Sequence, residues 1–251
     1  AARSDGFTWR FFSAAWEIIG GDVYNAVQSF FCGAELPRWV TAISIVLLPK
    51  VQKPQEFSQF RPISLCNFVN KIFSKILARR LAPLLPKIIS PNQSGFVRER
   101  SISDNYLLAQ EVIAGIKRKA RGENVVFKLD MTKTYDRVTW PFLIKVLRAF
   151  GFGERWIDMI WRIISDVWFS VVINGSLYGF FKSARGLRQG DSLSPALFII
   201  GVEVLSRSLN QLVSCRGFQG FLVPKGAQLL RIWGMLMMFL YFLVRQPPLS
   251  G

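Results

Sequence analysis

Apolar and polar positions along this chain change several times between helical spacing and strand-like runs. Residues 7–36 place aromatic and apolar side chains at roughly helical spacing, which predicts two short helices with a break near Gly20-Gly21. Ser194 and Pro195 predict the start of another helix, as a polar N-cap and a proline at the first helical position. Helical spacing predicts helices over residues 67–85, 104–119, 140–150, 154–164 and 194–212.

Short runs of β-branched and aromatic residues predict the strands. They cover residues 41–48 and 125–129, and two further runs flank Asn174-Gly175, which is a strong signal for a tight hairpin. Residues 50–66 contain Pro54 and Pro62 and are predicted to form a loop. Because helices and strands are mixed without regular β-α-β alternation, the predicted fold class is α+β.

The charge of the chain points to a polyanionic partner. The formal net charge is +16, and phosphate backbones bind such surfaces through Lys and Arg with release of counterions. The alternative on charge alone is a basic protein that is merely soluble. The chain has no histidine, which excludes a Ser-His-Asp or Cys-His nucleophile and any His-ligated zinc. Its three cysteines form no C-x-x-C pair, so metal chemistry would rest on carboxylates, which suit magnesium.

Two blocks carry candidate chemistry, and the first spans residues 127–138. Asp130 follows the predicted strand over 125–129, and a rigid buried strand would hold its carboxylate in one place within a cleft. Two-metal phosphoryl transfer needs such rigidity, because the ions lie about 3.5–4 Å apart. The alternative is that Asp130 caps the following turn, with Thr132 as a polar neighbour.

The second block spans residues 186–195. Gly186 and Gly190 allow close approach of the backbone, and Arg188 and Gln189 offer hydrogen-bond donors between them. The alternative is a helix-entry loop that binds no ligand.

In this order the two blocks resemble two central blocks of the reverse transcriptase palm of plant LINE-type (non-LTR) retrotransposons. The resemblance covers about residues 37–215 and extends to upstream blocks at 48–50, 60–67, 77–81 and 90–97. It implies right-hand polymerase fingers and a partial palm, with mixed helices and a small antiparallel sheet. The implied organisation is an N-terminal helical extension over 1–41, fingers over 42–120, an incomplete palm over 121–225 and an apolar tail over 226–251.

The resemblance also implies an RNA-directed DNA polymerase located inside the cell, in the nucleus or the cytoplasm. Its partners would be an RNA template, a DNA primer and dNTP, and its cofactor Mg²⁺. Asp130 would be the catalytic metal ligand, with the backbone carbonyl of Met131 beside it, and Tyr135 would contact the sugar of the nucleotide. Further implied contacts are Arg61, Arg80, Gln189 and Gly190 to the nucleotide and Lys50, Gln93, Phe96 and Arg188 to template or primer. Asp136 does not match a metal position and is interpreted as structural, paired with Arg137 or with a neighbouring basic side chain.

The family's next block, an aromatic-Ala-Asp-Asp hairpin, is missing from this chain. Met and Trp have single codons, so the bases beneath Trp233-Gly234 and Met237-Met238 are partly fixed. With allowed codons for Arg231, Gly234 and Leu236, the neighbouring frame encodes His-Leu-Gly-Tyr-Ala-Asp-Asp-Val at this place. We therefore hypothesise a frameshift between about Gly220 and Arg231, real or introduced by gene prediction, so that the apolar tail is out-of-frame translation.

Three interpretations stay open at this point. The first is a fragment of a reverse transcriptase, in a copy that is inactive because the Asp pair is absent. The second is a non-catalytic, basic remnant that binds nucleic acid. The third is a small membrane-attached protein that uses residues 229–244 as an apolar helix, although 16 residues with Arg231 among them fall short of the roughly 18–20 that a spanning helix needs. No genuine membrane span is expected.

Overall fold

The computed structural model describes residues 6–115, 124–130, 133–212, 233–236 and 239–245. The helices are α1 (Trp9–Ala14), α2 (Trp16–Phe31), α3 (Arg38–Thr41), α4 (Phe68–Leu81), α5 (Leu85–Ile88), α6 (Ile102–Gly115), α7 (Thr134–Arg137), α8 (Trp140–Ala149), α9 (Glu154–Ser165) and α10 (Ser194–Leu212). The strands are β1 (Ala42–Pro49), β2 (Phe60–Leu65), β3 (Asn124–Asp130), β4 (Trp168–Ile173), β5 (Ser176–Lys182), β6 (Trp233–Leu236) and β7 (Phe239–Arg245).

The chain divides into two compact units, each built from two stretches of sequence. The first unit joins Ala1–Leu81 to Tyr135–Phe198, and the second joins Ala82–Thr134 to Ile199–Gly251. These boundaries differ from the four ranges that the resemblance implies, so the names fingers and palm stay predictions for those ranges. The α+β fold class is confirmed.

The first unit contains a four-stranded sheet in the order β2-β1-β4-β5. β1 is antiparallel to β2 and parallel to β4, and β4 is antiparallel to β5, so this sheet is mixed rather than antiparallel throughout. The hairpin between β4 and β5 is confirmed: Asn174 and Gly175 both have positive φ, at +50° and +82°. These two left-handed residues form the turn that matches the strand twist.

Two predictions for this unit are wrong. β2 lies in the range predicted as a loop; it is the edge strand of the sheet, a position that tolerates Pro62 because only one side of the strand joins the ladder. The first two helices meet at Ala15 instead of Gly20-Gly21, and α2 continues through both glycines. A Cβ at position 20 would lie 3.3 Å from the ring of Trp16, so packing of this ring accounts for one of the two.

Helices supply most of the buried core in the first unit. The buried residues of α4, α8 and α9 recur at the helical spacing that the sequence predicted. Burying one Leu or Ile side chain stabilises a fold by about 1.5–3 kcal/mol. Phe30 of α2 stacks on Phe73 of α4 with ring centroids 4.5 Å apart. The fully buried side chains include Phe30, Phe73, Leu77, Leu143, Leu147, Ile160 and Ile163.

The second unit contains a three-stranded sheet in the order β3-β7-β6. β7 pairs antiparallel along the whole of β3, from Asn124 opposite Arg245 to Asp130 opposite Phe239. Strands therefore occupy most of the range 229–244, where the third interpretation required an apolar helix. Over the described ranges, no helix is both long and apolar enough to cross a membrane.

Candidate functional site

Residues 135–138 of the first block lie in the first unit and contact the second block there, although about fifty residues separate the two blocks along the chain. The Gln189 loop (Gly186–Leu193) lies against α7: the amide of Leu187 donates to the carbonyl of Tyr135 at 2.7 Å, and the amide of Gly186 donates to that of Val138 at 2.8 Å. Gly186 has φ +94°, and a Cβ there would lie 3.2 Å from the carbonyl oxygen of Tyr135. This close approach requires glycine.

Tyr135 of α7 also packs against α10. Its ring stacks on Phe198 of α10 with centroids 5.0 Å apart. Burial raises the pKa of the phenol from 10 to about 12, so the hydroxyl keeps its proton to a higher pH than a solvent-exposed tyrosine does. The predicted contact between Tyr135 and the sugar of a nucleotide stays a prediction.

A second contact of the Gln189 loop is with β2. The amide of Ser64 donates to the carbonyl of Gln189 at 2.9 Å, and a Cβ at Gly190 would lie 3.4 Å from the carbonyl oxygen of Ser64. Gly190 has φ +101°, which favours glycine at this position. Gln189 lines an open groove of about 370 Å³ whose walls include Ile45, Pro62, Asp136, Phe169, Phe181 and Arg185.

Arg188 is placed differently from what the sequence suggested. We predicted a contact with template or primer, but its side chain is buried and forms an ion pair with Asp191. Its guanidinium also donates to Oδ1 of Asn70 at 2.7 Å and to Oγ of Ser74 at 3.4 Å. The described contacts therefore give Arg188 an internal role, because its donors hold the loop to α4.

This buried network contains residues that the sequence analysis did not single out. Asp191 accepts from Oγ of Ser74 at 3.1 Å and from the amide of Leu193 at 3.0 Å. Asn70 donates to the carbonyl of Val40 at 3.2 Å, which extends the network to the start of β1. A usable signal existed, since Asn70 and Ser74 are polar residues four positions apart on an otherwise apolar helix face. Burial raises the pKa of the neighbouring Cys66 thiol, which Arg188 opposes only in part.

The other predicted basic contacts lie at exposed places in the first unit. Arg61 is exposed on the edge strand β2, opposite Leu48 in register. Lys50 is exposed at the end of β1, and its Nζ donates to the carbonyl of Ser58 at 3.0 Å. Asp136 is exposed, and no ion pair involving it occurs within the described ranges. The predicted pairing of Asp136 with Arg137 is therefore not seen.

Arg80 lies in a different groove from Gln189. Its guanidinium lies 4.6 Å from the ring centroid of Phe31, and a groove of about 480 Å³ beside it is lined by residues of α2, α4 and α9. Its predicted contact with a nucleotide stays a prediction, and the observed partner of the guanidinium is an aromatic ring.

Gln93 and Phe96 belong to the second unit. Gln93 is 1% exposed, and its Oε1 accepts from the amide of Gly95 at 3.1 Å, so the amide side chain braces its own loop. Phe96 is 45% exposed and has φ +59°. Of these two predicted template contacts, only Phe96 presents its side chain to solvent.

Asp130 is the last residue of β3, as the sequence predicted. Its side chain and the whole of Met131 lie outside the described residues, so the predicted metal ligands stay predictions. Within the described ranges, no group of three or more His, Cys, Asp or Glu could hold a metal ion. Phe239 pairs with Asp130 across the sheet, and Met237 and Met238 precede it in sequence.

Comparison with known proteins gives consistent results. A family model described as "Reverse transcriptase (RNA-dependent DNA polymerase)" matches residues 50–221. The chain is 32% identical over 200 residues to the transposon TX1 uncharacterized 149 kDa protein of Xenopus laevis, covering 79% of this chain and 15% of that protein. It is 30% identical over 186 residues to a Pol polyprotein from the type-1 retrotransposable element R2 of Popillia japonica, covering 74% of this chain and 26% of that protein. The chain thus spans about a quarter or less of these relatives.

A solved structure shows the same fold. Telomerase from Candida albicans, determined with a fragment of telomeric RNA, superposes with a TM-score of 0.54 at 15% identity. The superposition covers 89% of this chain and 42% of the telomerase chain.

Proposed function

Because the chain belongs to the reverse transcriptase (RNA-dependent DNA polymerase) family, as the reverse transcriptase domain of a LINE-type retrotransposon, we propose that it binds an RNA template and a DNA primer. In an intact member this domain would incorporate dNTP by two-metal phosphoryl transfer. The formal charge of +16 supports a nucleic-acid partner. A plant origin stays a prediction.

One observation carries this proposal. The two blocks that the sequence analysis selected are hydrogen-bonded to each other, because the amide of Leu187 donates to the carbonyl of Tyr135 at 2.7 Å. The carbonyl of Gln189 also accepts a hydrogen bond from the amide of Ser64 on β2. The exposed side chains of Arg61, on β2, and of Lys50, at the end of β1, supply positive charge. We assign the nucleotide contacts to Tyr135, Gln189, Gly190 and Arg61.

Members of this family generally use divalent metal ions. In this chain the donor set suits such an ion only in part. Asp130 offers hard carboxylate oxygens, but its strand partner Phe239 and the two residues before it in sequence, Met237 and Met238, offer none. Because the family's Asp pair is missing from these positions, we propose that this copy does not incorporate nucleotides.

The missing carboxylates have a proposed genetic cause. β6 and β7 are separated in sequence only by Met237 and Met238, and β7 pairs with the strand that carries Asp130. If Leu236 is encoded by a codon that ends in G, the neighbouring frame encodes an Asp pair at these two positions. Genomic sequence across residues 220–245 tests the frameshift, and a neighbouring frame that lacks the Tyr-Ala-Asp-Asp string would refute it.

Primer extension tests the proposed activity. The unmodified chain and the Asp130→Ala variant are compared on an RNA template with a DNA primer, dNTP and magnesium, and a chain with the Tyr-Ala-Asp-Asp frame restored is the positive control. We expect extension only from the restored chain. Extension by the unmodified chain that is lost in Asp130→Ala would show that the site is complete, and an inactive restored chain would count against the polymerase assignment.

The lack of the family's Asp-Asp sequence at residues 237–238, where Met237 and Met238 stand, favours a second candidate function. In it, the chain is a non-catalytic remnant that binds nucleic acid without any nucleotide site. Salt-dependent binding of an RNA–DNA hybrid that is insensitive to dNTP and magnesium would favour this candidate. Tighter binding of the hybrid in the presence of the complementary dNTP would favour the polymerase-like site.

A further inference from the structure

The Phe96 loop (Ser90–Arg100) in the second unit contains two residues in an unusual backbone conformation. Phe96 has φ +59° and Glu99 has φ +65°, and neither is glycine. A Cβ makes this left-handed region costly, and for a bulky residue it is a genuine outlier. Such conformations persist where the surrounding structure fixes them, and they occur most often at functional sites.

Arg100 fixes the conformation of this loop. Its Nη1 donates to the carbonyls of Ser90 at 2.6 Å and Gln93 at 2.7 Å. Its Nη2 donates to the carbonyls of Pro86 at 3.1 Å and Ile89 at 3.0 Å. One planar guanidinium therefore holds four carbonyl groups, and its rigid fork fixes their relative positions.

The start of the loop is also tied to α10. Oγ of Ser90 donates to the buried carboxylate of Glu203 at 2.5 Å, and the same oxygen of Glu203 accepts from Nε of Arg207 at 3.1 Å. Arg207 in turn donates to the carbonyl of Ile88 at 2.9 Å. The loop is thus braced from both sides within its own unit.

In this loop the ring of Phe96 is exposed to solvent. Phe96 is 45% exposed, while its neighbours Gly95 and Val97 are buried and Arg98 and Glu99 are charged and exposed. The ring is therefore not part of an apolar patch on its own segment, as a protein-docking surface would require. Arg98 and Arg100 against the single acid Glu99 make the loop basic, and Lys87 precedes it in sequence.

We propose that Phe96 is a stacking platform for one unpaired base of a single-stranded nucleic acid, and that Arg100 is the positioning residue that presents it. The ligand class rests on the proposed function, and the geometry of the loop assigns the place. An exposed ring whose loop neighbours are buried or charged suits a base, because every base offers a flat π-face and stacking needs one ring per base. Arg98, which forms no ion pair within the described ranges, supplies a charge for the adjoining phosphate.

The test uses the full chain and a short, labelled single-stranded RNA, followed by fluorescence anisotropy without magnesium. Phe96→Leu keeps an apolar side chain and removes the π-face, and we expect binding about 5- to 150-fold weaker, with the slope of affinity against salt unchanged. Phe96→Trp keeps a ring and should bind at least as tightly as the unmodified chain. Phe142→Leu, at a 42% exposed phenylalanine on α8, is the matched control and should change nothing.

An abasic scan of the oligonucleotide isolates the stacking contact. For the unmodified chain, removing one base should weaken binding by the same factor as Phe96→Leu, and this sensitivity should vanish in the variant. Arg100→Lys should also lose the base sensitivity, and the double variant Phe96→Leu/Arg100→Lys should bind no more weakly than Arg100→Lys alone. If Arg100→Lys does not fold, as judged by its melting curve, Arg100→Gln replaces it.

The failures are distinguishable. If the unmodified chain does not bind RNA, the proposed function fails and this inference fails with it. If the chain binds RNA with a normal salt slope while Phe96→Leu binds equally well, only the stacking platform is overturned. An Arg100 variant that folds and keeps full base sensitivity would overturn the positioning role.

Discussion

Two loops of this molecule are organised by buried or half-buried arginines in opposite ways. In the Gln189 loop, Arg188 is neutralised by Asp191 within a buried network. In the Phe96 loop, Arg100 is surrounded by backbone carbonyls instead of an acid. The Arg188–Asp191 pair holds two charges out of water, and each charge is stabilised by the other. Arg100 donates to carbonyl groups that water could also satisfy, so replacing Arg100 should lower the free energy of unfolding less than replacing Arg188.

The largest expected effect is at Arg188. Arg188→Met would leave the carboxylate of Asp191 buried without its partner, and we expect a loss of about 3–5 kcal/mol in the free energy of unfolding. Urea denaturation measures this change. The double variant Arg188→Met/Asp191→Leu should recover most of the loss, because no charge is then buried. A single variant as stable as the unmodified chain would show that the pair is not buried in solution.

The next effect is at Arg100. Arg100→Met removes donors from four carbonyls, but the half-buried site lets water replace them, so we expect a loss of about 2 kcal/mol in the same measurement. A loss as large as that of Arg188→Met would erase the contrast between the two loops.

The left-handed positions of the two loops offer a third comparison. Gly190→Ala should destabilise the fold by about 1–2 kcal/mol, because a Cβ meets both an unfavourable φ and the carbonyl of Ser64. Phe96→Gly relieves a left-handed aromatic residue, and this gain should offset the lost partial burial to within about 0.5 kcal/mol. Thermal melting of both variants checks the difference. A strongly destabilised Phe96→Gly variant would mean that the ring is there for packing.

The smallest effect is the pH dependence at Tyr135. Its pKa is raised from 10 to about 12, chiefly by burial, so the unfolded chain ionises first as the pH rises. The contribution is complete below pH 10 and is lost as the pH rises towards 12. Between about pH 9 and about pH 11, the unmodified chain should lose up to about 1 kcal/mol more stability than Tyr135→Phe, after allowance for partial exposure. Equal losses in both proteins would place the phenol in solvent.

Local patterns determined much of the fold. The helices α4, α8, α9 and α10 and the β4–β5 hairpin follow from periodicity and from Asn174-Gly175, because those signals act within a few residues. The sequence did not predict β2, because Pro62 argues against a strand unless that strand lies at the edge of a sheet, and only its pairing with β1 places it there. The glycines at 20 and 21 did not mark the helix boundary, and the close approach of the Trp16 ring to Gly20 is a tertiary reason for glycine inside α2.

The candidate site shows the same division. The sequence alone predicted the two blocks, their order, the strand that ends at Asp130 and a charge that points to a polyanionic partner, since residue type and spacing carry this information. The sequence could not show that Arg188 is buried, that Arg80 lies over Phe31 or that Arg100 holds the Phe96 loop. Arginines look alike along a chain, and only the tertiary structure decides whether a carboxylate, a ring, a carbonyl or water surrounds each one. That environment sets the energetic cost of the charge, and therefore the role that each arginine can have.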